Sequence, residues 1–107
     1  MSGSPGHTDY EFDWDEDKAD INLRKHGVEF LQAMTVLDDP LAMTFYDTEH
    51  SEDEDRWVSV GRSSQGALLL VIHTFVATGP SSALVRIISA RPAVKRERRQ
   101  YEQGALQ

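Results

Sequence analysis

Cysteine is absent from all 107 residues, which excludes a disulfide frame, a thiolate metal site and a thiol nucleophile. Long apolar runs are missing too. The longest, Ala67 to Ile72, falls far short of the roughly 20 residues that cross a bilayer as a helix. No charged segment leads into an apolar core near the N-terminus, so secretion is not indicated. Basic residues are scarce in one half only. Residues 1–55 hold 3 Lys and Arg against 16 Asp and Glu, a charge of −13, whereas residues 56–107 hold 8 against 2, a charge of +6. The overall −7 thus describes an acidic segment joined to a basic working surface. Net acidity weakens unspecific attraction to RNA or DNA. A basic face still acts locally, over a screening length of roughly 8 Å in physiological salt. Apolar residues make up 39% of the chain, and their clustering favours one compact domain over disorder. A cytoplasmic protein without membrane attachment is the expectation.

The segment Leu84 to Tyr101 is the most informative stretch. It places Arg86 and Arg91 in an apolar strand and runs into a basic helix carrying Glu97 and Tyr101. Arginine in such a strand is costly unless something anionic meets it. A phosphate is the simplest such anion, so the segment reads as a nucleic-acid or nucleotide surface.

The remaining pattern predicts the order α-α-β-β-β-β-α. Residues 1–9 read as a disordered leader, 10–103 as the domain and 104–107 as a tail. Phe12 and Trp14 suggest an extended entry, with Asp13 placed to cap a helix that starts near Asp15 and ends at His26, before Gly27. Phe30, Ala33, Met34 and Leu37 follow helical spacing until Asp38-Asp39-Pro40 stops them. The period then changes to two. Strands are expected over 42–46, 56–62, 67–76 and 84–91, with a turn at Ser63 to Gly66 and a loop from Ala77 to Ser82. Pro92 suits the first position of a final helix. The fold class is α+β, an antiparallel sheet with helices packed on one face. Asp47 to Asp55 reads as a solvated acidic loop. Its carboxylates and His50 match no metal-binding spacing, and no cofactor is implied.

Tyr10-Glu11-Phe12-Asp13-Trp14-Asp15, then Asn22-Leu23-Arg24-Lys25-His26-Gly27-Val28, Asp38-Asp39-Pro40, and Arg86 to Arg91 ahead of Glu97 and Tyr101, form an ordered set of motifs. In these the chain resembles the BrnT toxins of bacterial type II toxin–antitoxin systems, over about residues 10–103. Two departures from the family pattern are Glu29, where Ser or Thr is common, and the long Ala77–Ser82 loop. The resemblance implies a RelE-like fold and metal-independent RNA cleavage that arrests translation and growth. It also implies a BrnA-type antitoxin as partner, which neutralises the toxin and carries the pair to operator DNA.

Metal-independent cleavage needs a base for the 2′-hydroxyl proton, cations for the phosphorane and an acid for the 5′-oxygen. Its products are a 2′,3′-cyclic phosphate and a 5′-hydroxyl. Arg86 and Arg91 are the first candidates for phosphate contact, the alternative being ion pairs with acidic residues of the N-terminal half. Five positions apart, they point to opposite faces of a regular strand unless the turn into the helix re-aims Arg91. Lys25 and His26 are candidates for charge stabilisation and proton transfer, or else compensate the helix dipole. Glu97 is either a general base or the group that orients an arginine. Arg56, His73 and Tyr101 are candidates for substrate binding, with ion pairing, core burial and packing as their respective alternatives. Lys95, Arg96 and Arg99 form a basic rim. A second reading is a non-catalytic partner and co-repressor in a DNA-bound toxin–antitoxin complex. A third is an unrelated small RNA-binding domain.

Overall fold

The computed structural model describes residues 9–105. Strand β1 (Asp9–Asp13) leads to helix α1 (Glu16–His26), helix α2 (Phe30–Met34) and a 3-10 turn, Thr35–Asp38. Strands β2 (Met43–Tyr46), β3 (Trp57–Arg62), β4 (Leu68–His73), β5 (Val76–Gly79) and β6 (Ser82–Pro92) follow, then helix α3 (Lys95–Ala105). The sheet order is β1-β6-β4-β3-β2, antiparallel except for β1, which runs parallel to β6. The fold is therefore α+β, with a six-stranded, mostly antiparallel sheet.

Several boundaries differ from the sequence reading. Asp15, not Asp13, caps α1: its carboxylate accepts the N–H groups of Asp17 and Lys18 at 2.8 and 3.2 Å. Asp13 instead ends a true strand, opposite Arg86. Gly27 closes the helix at φ 71°, in the left-handed region. The expected Ala77–Ser82 loop is mostly strand. β5 continues the β4 arm of one long hairpin past Thr74, whose N–H bonds the Arg86 carbonyl at 2.9 Å. Pro92 still belongs to β6, and α3 begins at Lys95. Of the expected leader, only Asp9 lies within the described residues, and it opens β1; α3 reaches Ala105, into the expected tail.

Alternation along the strands divides the apolar residues between two faces. One face carries Leu69, Val71, Val85, Ile87 and Ala90, which pack with Phe30, Ala33 and Val36 beneath α1, α2 and the 3-10 turn. The other carries Val58, Val60, Leu68 and Leu70, covered by Tyr101 of α3. The helices thus occupy both faces of the sheet rather than one. Gly61 lets the 3-10 turn and the residues after it approach closely, since a Cβ there would lie 3.1 Å from Val36 Cγ1 and 2.9 Å from Ala42 Cβ.

Buried polar groups fix these layers. Asn22 of α1 accepts the Ala90 N–H at 3.0 Å and donates to the carbonyls of Ala90 and Val28 at 2.9 and 3.0 Å. It takes the place of a neighbouring strand where β1 has ended. Asp39 holds α3 to the far side of the sheet, accepting Tyr101 Oη at 2.7 Å, Arg62 N–H at 2.8 Å and Leu41 N–H at 2.9 Å. Desolvation raises its pKa, but these hydrogen bonds outweigh it and hold the carboxyl below its usual value.

Candidate functional site

Strand β6 carries one extra residue. Ile72 stands opposite Ser89 and His73 opposite Ile87, so Ile88 is a bulge. The bulge reverses the alternation. Val85 and Ile87 point into the core under α1 and α2, and so does Ala90. Arg86 and Arg91 consequently share the other face, the one α3 covers only in part. The sequence expectation of opposite faces holds for an unbulged strand, and one inserted residue overturns it.

Arg91 makes a two-point ion pair with Glu97, Nη1 to Oε1 at 2.9 Å and Nη2 to Oε2 at 2.8 Å, and Nη1 also bonds the Pro92 carbonyl at 3.2 Å. Three of the five guanidinium N–H groups are thereby used, leaving Nε–H and one on Nη2. Glu97 Oε1 also accepts the Val94 N–H at 2.9 Å, satisfying a free donor at the start of α3. The hydrogen bonds from Arg91 hold the Glu97 carboxyl below its usual value against the effect of burial. The same pairing raises Arg91. Glu97 is ionised and fully engaged, which suits orientation of an arginine rather than proton transfer.

Arg91 and Glu97 line one wall of an open groove of about 640 Å³. Arg96 and Gln100 of α3 extend that wall, and Phe45, Val58, Leu70 and Ile72 form an apolar floor. Asp47 and His50, which follow β2, form the opposite wall. His50 Nδ1 lies 3.1–3.2 Å from both Asp47 carboxylate oxygens. In the sequence His50 stands out only as a metal ligand, although its spacing of three from Asp47, just after a strand, signals the pair. No group of three or more His, Asp or Glu among the described residues is arranged to hold a metal ion.

The other candidates are dispersed. Arg86 sits further along β6, 3.7 Å from Glu54 of the acidic loop, both side chains well exposed. The Arg86 backbone is held by Thr74, whose Oγ1 accepts its N–H at 3.0 Å. Arg56 stands behind His50 in a recess of about 240 Å³ shared with Glu49, Glu52, Asp53 and Glu54, and its Nε is buried without a partner. Lys25 and His26 end α1, on the layer opposite α3, and neither makes a hydrogen bond or ion pair among the described residues.

His73 and Tyr101 do not reach the groove, and both expectations of substrate contact are corrected by burial. His73 is fully buried on the α1–α2 side, with Nδ1 bonded to the Thr74 carbonyl at 2.9 Å and Nε2 to Ser59 Oγ at 2.8 Å. Ser59 Oγ in turn lies 2.7 Å from Thr44 Oγ1. Tyr101 packs its ring in the core beneath the Arg62 guanidinium, at 5.8 Å, and gives its hydroxyl to Asp39.

The site thus sits on a small α+β domain whose bulged strand β6 carries Arg86 and Arg91 on one face, with Arg91 beside an open groove. The family model for the ribonuclease toxin BrnT of type II toxin–antitoxin systems matches residues 14–97, and the chain belongs to that family. The matched span includes every candidate above except Tyr101. Among solved structures, the 1.1 Å crystal structure of the Brucella abortus ribonuclease toxin BrnT is similar, with 27% identity and a TM-score of 0.56, covering 82% of this chain and all of that one. Comparison with curated proteins finds no match. Membership of a toxin–antitoxin family implies an antitoxin partner. No helix among the described residues is long and apolar enough to cross a membrane.

Proposed function

We propose that this chain is a metal-independent endoribonuclease of the cytoplasm that blocks translation and growth until a BrnA-type antitoxin covers it. The observation that carries this reading is the common open face of Arg86 and Arg91. Two guanidinium groups on one face of one strand, five positions apart at about 3.3 Å per residue, reach two separate phosphates of a single strand laid along β6. Arg91, oriented by Glu97 and keeping two free donors, stabilises the charge that develops on the cleaved phosphate. Arg86 holds a second phosphate further along the strand and releases Glu54, now 3.7 Å away, to do so. The exposed Phe45 ring on the groove floor offers a face on which a base stacks. Lys25 and His26 serve the α1 C-terminus, where cations complement the helix dipole. The acidic loop keeps RNA affinity modest and gives the antitoxin a charged surface.

Expression of Arg86→Ala and Arg91→Ala in bacteria tests the assignment. Both variants relieve growth arrest while antitoxin binding is largely kept, and Arg91→Lys, which keeps the charge without the planar fork, gives partial relief. Folded variants as toxic as the parent would show that the arginines are not the phosphate contacts.

One observation favours a second reading, the approach of Glu54 to Arg86, which neutralises one of the two cations. In that reading the chain is a non-catalytic partner that shapes a DNA-bound complex through its antitoxin. A parent chain that binds antitoxin and cleaves no RNA, free or on ribosomes, selects it.

A further inference from the structure

The groove facing Arg91 contains a proton-transfer group that the reaction otherwise lacks. Among the described histidines, His26 ends α1 on the far layer and His73 is sealed in the core. His50 lines the groove together with Arg91, Arg96 and Glu97, and its side chain is 64% exposed. Its loop is tied shut at the base. Asp47 N–H bonds the Arg56 carbonyl at 2.9 Å, and Ser51 Oγ donates to the Asp47 carbonyl and accepts the Arg56 N–H at 3.0 Å. The Asp47 carboxylate also accepts the Glu49 N–H at 3.2 Å, so it is fixed before it meets the imidazole. Desolvation opposes ionisation of Asp47, but the hydrogen bonds from His50 and Glu49 prevail and keep it below its usual value. An ionised carboxylate only accepts hydrogen bonds, so Nδ1 carries a proton and Nε2 is left with a free lone pair.

We infer that His50 is the general base of RNA cleavage, with Asp47 as its positioning residue; the inference rests on the ribonuclease reading above. The 2′-oxygen attacks phosphorus and passes its proton to Nε2. The bond from phosphorus to the 5′-oxygen breaks, and the departing oxygen takes a proton from water. The imidazolium then returns its proton to the hydroxide so formed, leaving a 2′,3′-cyclic phosphate and a 5′-hydroxyl. His50 is faced by Asp47 and Glu49 on its own side, by Arg91, Arg96 and Glu97 across the groove, and by Glu52, Asp53, Glu54 and Arg56 behind. The arginines and the paired carboxylate keep the developing charges balanced where the transfer occurs.

The test measures kcat/KM against pH for the purified full chain, its His50→Ala variant and its Asp47→Asn variant, on one RNA presented free and on translating ribosomes. His50→Ala is expected to lower kcat/KM by about 10²-fold or more, to remove the acid limb of the profile, and to recover activity when imidazole is added. Asp47→Asn is expected to lower kcat rather than raise KM, because the imidazole loses the carboxylate that fixes its ring and its Nδ1–H tautomer. Matching circular dichroism spectra identify the folded variants, and imidazole rescue separates chemistry from folding. If the parent cleaves and His50→Ala stays within about threefold of it with the limb intact, His50 is not the base and the ribonuclease reading stands. A parent that cleaves neither substrate overturns both.

Discussion

Arg91 and Glu97 join the end of β6 to the start of α3 by two parallel hydrogen bonds of 2.9 and 2.8 Å. The pair aims a guanidinium into the groove and caps the helix through the Val94 N–H. One carboxylate thus serves both the site and the fold.

Glu97→Gln is expected to lower unfolding free energy by about 1–2 kcal/mol, modest because the Arg91 side chain is a third exposed and its charge partly screened. The folded-state pKa of Glu97 lies below its ordinary 4.5. The stability it contributes is therefore complete above that value and is lost as pH falls through the lower, folded one. Urea unfolding between pH 6 and pH 3 should show a steeper acid loss in the parent than in Glu97→Gln.

Asn22→Ala is expected to cost about 2–3 kcal/mol, because a buried N–H and two carbonyls lose their partner at once. Asn22→Asp keeps an acceptor for the Ala90 N–H and cannot donate to the carbonyls, so it should be nearly as damaging. Hydrogen exchange at Ala90 and Arg91 reads the effect locally, and both amides should lose protection ahead of the β3 amides.

Burial lowers the pKa of His73 below the ordinary 6.5, against the opposing bond to the Thr74 carbonyl, and so favours the neutral ring in the fold. The unfolded chain takes up a proton that the folded chain refuses. This contribution to stability is complete above pH 6.5 and declines below it, by up to about 1.4 kcal/mol per pH unit. Nitrogen NMR of the imidazole should report the Nδ1–H tautomer at pH 7.5 and a protonation midpoint below 6.5. A midpoint above 6.5 would contradict the assignment.

How far the sequence could be read depended on whether a feature was local. Gly27 after a basic last turn marks the end of α1, and the Leu68–Ile72 run marks a buried strand, because both signals lie within a few residues. Local sequence places the α1 cap two positions early, since Asp13 and Asp15 each precede acidic residues and only the parallel pairing of β1 decides between them. β5 was hidden in a Gly/Pro/Ser stretch that β6 holds in place by its ladder. The bulge at Ile88 left no trace, as an Ile-Ile-Ser run contains no glycine to announce it. Yet that bulge decides whether Arg86 and Arg91 act together. Glu97 is legible as a candidate arginine partner from the cations around it, whereas His50 joins Arg91 only through the groove that β2 and α3 wall between them.

The most direct test of the central claim is incubation of purified, antitoxin-free protein with a defined RNA in EDTA, followed by analysis of the new ends. The account predicts 2′,3′-cyclic phosphate and 5′-hydroxyl ends, formed by the parent and lost in Arg86→Ala and Arg91→Ala. Cleavage that requires a divalent metal, or that leaves 5′-phosphate ends, would contradict it.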